Sequence, residues 1–397
     1  MKLLISIFLW ATVFSAHSVN ARQKPSNMER VYQDLTTYFH KQAKNNDVAG
    51  SSLAVVRDGE LIFHQTYGVA NVISKKPIDK NTIFHWASIT KTITGIAIMQ
   101  LQERGLLSLD DPVTKYIPEL RQVHNEYGSM DEITIRHLMS HSAGFRNPTW
   151  PWGGFKDWHP HEPQHWEQLV AMFPYTDIQF KPGTKWIYSN LGIIFLGRII
   201  ELTTQDDYEY YIHKNILTPL KMYRSYFDGA PYHLKSDLAH SYYLQENGSY
   251  KEARFDLNTG ITVSNGGLNA PVDDMMKYIN FLLGNAHADA YKFVLKKSSL
   301  EKMFSPQIAI SSDGSDAPEN AGGQQMGLSF FVGELNQTKL IGHSGNQNGF
   351  ISHIYLAPEY NTGYAIVFNS TNNSRKVDRN ILSYLLEKEF LYYPDSN

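Results

Sequence analysis

The run Thr92-Ile93-Thr94-Gly95-Ile96-Ala97-Ile98-Met99-Gln100-Leu101 is what most restricts how this chain can fold. Ile93, Ile96, Ala97, Gln100 and Leu101 follow a helical period, while Ile98 and Met99 make the opposite side apolar too. A helix here needs protein on nearly every face. It is led by Phe84-His85-Trp86-Ala87-Ser88-Ile89-Thr90-Lys91, which reads as a turn feeding a helix from about Ser88. A lysine inside so apolar a helix start is costly unless paired, so Lys91 demands a partner from elsewhere in the chain.

If Ser88 begins the helix, its hydroxyl stands at the positive end of the peptide dipole, and Lys91, three residues on, lies on roughly the same face within reach of it. A serine alkoxide is inaccessible at neutral pH without a neighbouring base. A lysine whose pKa is lowered by burial can be that base, or can hold one nearby as an anion. On its own, S-x-x-K recurs by chance, and its plain reading is a helix cap beside a solvated lysine. The apolar surroundings of Lys91 turn the reading towards chemistry.

The 397 residues, 42% hydrophobic and 13% aromatic, suffice for a large core in one big domain or two intimate parts. A net charge of -3 leaves no basic excess for a nucleic-acid backbone, so small molecules or short peptides are the expected partners. With no cysteine, disulfides, a thiol nucleophile and a Cys-ligated zinc site are all excluded. Residues Met1 to Ala21, with Lys2, an apolar run from Leu3 to Phe14 and the small-residue ending Val19-Asn20-Ala21, read as a signal peptide cleaved after Ala21. The expected location is therefore secreted or periplasmic. No other apolar run is long enough for a transmembrane helix.

Along the chain, an amphipathic helix is expected from Asn27 to Asn45, then strands Ser51 to Val56 and Leu61 to Val69 joined by the hairpin signal Asp58-Gly59. Ile133 to Gly144 reads as a helix closed by glycine, carrying His137 and His141. Their spacing of four suits a metal, but with no intervening Glu and no third ligand they read as structural histidines, and no metal or cofactor is expected. The aromatic loop Phe145 to Tyr188 either anchors itself to the core or walls a cleft; its His159, His161 and His165 read as solvated. Helices follow at Leu191 to Leu202, Tyr208 to Leu217 and Val272 to Leu283, and Ser311 to Gln325 is a polar loop. Strands return at Gly327 to Gly333, Thr338 to Gly342, Gly349 to Leu356 and Gly363 to Asn369, before a helix from about Val377 to Glu389. The fold class this implies is α+β: an antiparallel sheet built from both chain ends with flanking helices (about 22–85 and 320–397), plus an inserted, mostly helical part (about 86–319).

Ser88-Ile89-Thr90-Lys91, Tyr188-Ser189-Asn190 and His343-Ser344-Gly345 together resemble the three signature elements of penicillin-recognising serine enzymes of the class C β-lactamase-like branch. The likeness covers nearly all of the chain after Ala21, with Ile133 to Gly144, the Pro182-Gly183 turn and Gly266-Gly267-Leu268 in support. It implies a β-lactamase/transpeptidase-like fold and a nucleophilic Ser88. Lys91 and Tyr188 would form a coupled base, with the proton acceptor left open between them. Asn190 would orient Lys91 and the substrate amide, and His343, Ser344 and Gly345 would line the cleft. The main-chain N–H groups of Ser88 and Asn346 would form the oxyanion hole.

This chain has His343-Ser344-Gly345 where the lactamases proper carry Lys-Thr-Gly, and its H-x-G and Y-S-N elements look more like the D,D-peptidases and esterases of that branch. An unperturbed imidazole at 343 would be mostly neutral above pH 7 and offer little positive potential to an anionic β-lactam. The expected activity is that of an exported serine hydrolase acting through an acyl-enzyme on a D-amino-acid peptide. A carboxylesterase or weak β-lactamase is the runner-up, and a non-catalytic penicillin-binding or sensing module is the alternative of a different class.

Overall fold

The computed structural model describes residues 27–145, 163–253, 260–310, 323–371, 373–388 and 390. Residues Met1 to Ala21, read above as a signal peptide, residues 146–162 of the aromatic loop, with Trp150, Trp152, Trp158, His159 and His161, and most of the 311–325 loop lie outside them. The strands are β1 Gly50–Arg57, β2 Glu60–Asn71, β3 Lys76–Pro77, β4 Ile83–His85, β5 Tyr226–Phe227, β6 Tyr242–Leu244, β7 Tyr250–Glu252, β8 Leu268–Pro271, β9 Ile308–Ala309, β10 Gly323–Met326, β11 Phe331–Leu335, β12 Thr338–Gln347, β13 Phe350–Ala357 and β14 Thr362–Phe368. The α-helices are α1 Asn27–Asn45, α2 Thr90–Glu103, α3 Ile135–Met139, α4 Trp166–Val170, α5 Asn190–Thr204, α6 Tyr208–Ile212, α7 Val263–Gly266, α8 Val272–Leu282, α9 Ala288–Phe293, α10 Lys297–Met303 and α11 Ser374–Glu387.

Both chain ends build one antiparallel sheet, ordered β3-β2-β1-β14-β13-β12-β11-β10-β9. β1 lies between β2 and β14, with Ser51 opposite Phe368 and Val56 opposite Gly363. Alternation along β1 sends Leu53 and Val55 to the face covered by α1 and α11, and Ala54 and Val56 to the core shared with α2 and α8. The hairpin at Asp58-Gly59 forms as expected, with both residues at positive φ (51° and 87°), the conformation that such a two-residue turn needs.

The inserted part is mainly helical, as expected, but also holds a short sheet ordered β4-β8-β5. β4 pairs with β8 immediately before the Ser88 turn, which ties that turn to the chain after Gly266-Gly267. α2 is buried from Thr90 to Leu101, and the strand expected to stop at Gly342 continues to Gln347. Among the described residues no helix is long and apolar enough to cross a membrane.

Candidate active site

Ser88 stands on a single 3₁₀ turn, Ala87–Ile89, and α2 begins only at Thr90, so Ser88 precedes the α-helix rather than opening it. Ala87 has φ +48°, a left-handed conformation unusual for a residue with a Cβ, which bends the chain sharply under the serine. Trp86 clamps that bend. Its N–H donates to Leu268 O (2.8 Å), its indole N–H donates to Ala270 O (2.9 Å), and its carbonyl accepts from the Ser352 hydroxyl (2.9 Å). Ser88 stays partly exposed while its neighbours are buried.

Lys91 is fully buried, with Nζ 2.9 Å from Ser88 Oγ and 2.7 Å from the Asn265 carbonyl to which it donates. It also lies 5.1 Å from the centre of the Tyr188 ring. Burial holds the amine well below the usual lysine range. The Tyr188 ring is partly exposed, but its phenol lies inside, hydrogen-bonded to Ser88, and burial pushes its pKa up. Burial thus brings the neutral amine within easier reach and keeps the phenol protonated, both beside one serine, an arrangement able to remove a proton without first forming a phenolate.

The partner that Lys91 demanded is thus the main chain of α7. Asn190, at the first position of α5 behind the Ser189 cap, is not hydrogen-bonded to Lys91, whose amine meets Ser88 and Asn265. A carbonyl acts here without regard to its side chain, so the only sequence signal was the Asn265-Gly266-Gly267 turn.

β12 crosses the serine turn at Gly345, where a Cβ would sit 2.3 Å from both Trp86 O and Ser352 Oγ. Only glycine allows that approach. By strand alternation His343 and Gln347 share the face of Gly345, whereas Ser344 and Asn346 point to the other, so those two offer the site main-chain groups. Pairing with β11 ends at Gly342 opposite Phe331, while β13 pairs on to Gln347; from His343 onward one edge of β12 has no strand beside it among the described residues. Gly345→Ala should push β12 off the turn and lower kcat/KM by about tenfold to a hundredfold, with a modest fall in Tm. Unchanged steady-state kinetics would show that the approach does not matter.

His343 is buried between the Phe331 ring (5.0 Å) and the Tyr188 ring (6.3 Å). Its Nδ1 lies 2.7 Å from Ser344 O, an acceptor only, so Nδ1 carries the hydrogen. Burial, helped by the charge of Lys91, brings its pKa to about 3. This corrects the expectation of an unperturbed imidazole: desolvation keeps His343 neutral across the physiological range.

Three other residue groups carry side chains of the kinds that a catalytic or binding site uses. α3 ends at Met139 and His141 has φ +53°, so His137 and His141 do not share a helix face; His141 packs on Tyr188 instead, ring centres 4.6 Å apart. Trp166, in the described part of the aromatic loop, packs edge-on against Phe173 and Phe195 as an anchor. Finally, Ser52 Oγ lies 2.9 Å from His64 Nε2, and His64 Nδ1 lies 3.3 Å from Asp273. That trio has the order of a catalytic triad, but Ser52 is only 1% exposed and no carbonyl can reach it.

A sheet from both chain ends, a helical insert and a buried lysine beside a serine between them define the penicillin-recognising class of serine hydrolase folds. The family model described as Beta-lactamase matches residues 35–387, and the chain belongs to that family. "Beta-lactamase-like protein 2" of Dictyostelium discoideum is 30% identical over 75% of this chain and 52% of its own length. "Protein flp" of Staphylococcus aureus (strain MW2) is 27% identical over 85% of this chain and 63% of its own. The chain thus spans between half and two thirds of these relatives. Among solved structures, the octameric penicillin-binding protein homologue from Pyrococcus abyssi superposes with a TM-score of 0.74 at 28% identity, covering 89% of this chain and 77% of its own.

Proposed function

We propose that this chain hydrolyses an amide or ester through a Ser88 acyl-enzyme, with a D-amino-acid peptide as substrate, in the manner of a D,D-carboxypeptidase or related peptidase. The observation that carries the reading is the buried Lys91 amine 2.9 Å from Ser88 Oγ. Neutral Lys91 accepts the hydroxyl proton as Ser88 Oγ bonds to the substrate carbonyl carbon, and the resulting oxyanion is met by the N–H groups of Ser88 and Asn346. The proton passes through the Tyr188 phenol to the leaving nitrogen or oxygen as its bond to carbon breaks. Water then attacks the acyl ester, giving up a proton to the same pair, and Ser88 recovers its hydrogen. The free edge of β12 beyond Gly342 supports a peptide, because an extended chain can add there as a strand.

Neutral His343 favours a second reading, ester hydrolysis, since the cleft has no charge at 343 to hold a substrate carboxylate. A D-alanyl peptide, an activated ester and a cephalosporin, compared at pH 6 and pH 8, test both. The peptide or the ester should have the highest kcat/KM, and the ranking should not change between the two pH values, because His343 is uncharged at both. His343→Lys should shift preference towards the cephalosporin by about tenfold, the effect of about 1.4 kcal/mol of added attraction. Efficient cephalosporin turnover by the unmodified protein, undiminished at pH 8, would overturn the substrate reading.

A further inference from the structure

We infer that His141 is a positioning residue for Tyr188, an inference that rests on the proposed role of Tyr188 in proton transfer. His141 holds the tyrosine from both sides along the chain. Its carbonyl accepts the N–H of Ile187 (3.0 Å) and its Nδ1 accepts the N–H of Ser189 (3.2 Å), so the residues flanking Tyr188 are both tied to this one residue. Between those two bonds its imidazole packs on the Tyr188 ring, centroids 4.6 Å apart and planes 35° from parallel.

The left-handed φ of +53° at His141 lets one residue offer its carbonyl and its ring nitrogen to the same passing strand of chain. The neighbouring turns repeat the attachment: Gly183 N–H donates to Ser142 O and Gln179 N–H to Gly144 O, each at 2.8 Å. Since Nδ1 accepts from Ser189, the ring hydrogen sits on Nε2, and burial keeps the ring neutral, so the acceptor is permanent. A phenol that must stay within hydrogen-bonding reach of Ser88 gains from being held in this way, because a displacement of about 1 Å can cost about a hundredfold in rate.

The test measures kcat and KM on a p-nitrophenyl ester for the full chain and for His141→Ala, His141→Asn, His141→Phe, Tyr188→Phe and the double variant His141→Ala/Tyr188→Phe. Asparagine tolerates the left-handed conformation and places an acceptor oxygen near the position of Nδ1, whereas phenylalanine keeps a ring and loses the acceptor. We expect His141→Ala to lower kcat by about tenfold to a hundredfold with KM within about threefold, and His141→Asn to recover to within about fivefold of the unmodified protein. His141→Phe should remain slow, and the double variant should be no slower than Tyr188→Phe within about threefold.

A His141→Ala protein with normal kcat, or one whose loss recurs in full when Tyr188 is already phenylalanine, would overturn the inference. If His141→Ala does not fold, Asn and Phe decide between them: equal rates overturn it and a slower Phe supports it. Normal turnover by Tyr188→Phe removes the role of Tyr188 and the inference with it. A slow Tyr188→Phe beside an unimpaired His141→Ala strikes the inference alone.

Discussion

A fluorophosphonate or a labelled penicillin should add a single mass to the full chain, and Ser88→Ala should show none, with turnover reduced by on the order of ten-thousandfold or more. The size follows from removing the only atom that can bond to the substrate, since the remaining groups retain binding and oxyanion stabilisation but no route through a covalent intermediate. Intact-protein mass spectrometry makes the comparison. The structure also supplies the competitor: an adduct that survives in Ser88→Ala and disappears in Ser52→Ala would transfer the chemistry to the Ser52, His64, Asp273 trio. Stable labelling of Ser88 with no turnover of any substrate would instead make this a binding module on the same fold.

Lys91→Ala and Tyr188→Phe should each lower turnover by on the order of a hundredfold or more, and their pH profiles should differ. Burial pulls the Lys91 amine down and pushes the Tyr188 phenol up. If the amine accepts the serine proton, as proposed, the active form is neutral Lys91, which is lost as pH falls. kcat/KM of the unmodified protein should rise with pH along an acid limb. That limb should persist in Tyr188→Phe and be absent from the residual activity of Lys91→Ala. The opposite pattern would make the phenol the acceptor.

How much of this was legible in the sequence depends on whether side chains or main chain do the work. The Lys91 helix was legible because its composition is apolar on all sides. The pairing of the two chain ends was legible because the β-rich runs of β1, β2, β13 and β14 are apolar on both faces or alternate between them. Ser88 and Tyr188 stood out as reactive side chains at element ends. The extension of β12 through Ser344 and Asn346 was hidden, because its hydrogen bonds to β13 ask nothing of side-chain polarity.

The Asn265 carbonyl was hidden for the same reason. The helix expected from Ile133 to Gly144 stops at Met139, so the spacing of His137 and His141 does not put them on one face. Nothing local in the sequence announced that His141 would take positive φ. The neutrality of His343 is a property of burial between Phe331, on the neighbouring strand, and Tyr188, a residue far from it along the chain.

The place of β1 between β2 and β14 has a consequence for the order of events during synthesis. The first hairpin emerges with one edge open and cannot close it until Thr362–Phe368 has been made. β12, which lies over the Ser88 turn, also arrives late. Contacts so distant along the chain form slowly and leave partly folded states exposed. Until the last strands dock, Gly345 is not seated against the Trp86 carbonyl, and the turn that carries Ser88 lacks that support. A chain interrupted before Phe368 would carry the serine, lysine and tyrosine yet have no assembled site, so reactivity at Ser88 serves as a chemical report that the sheet has closed.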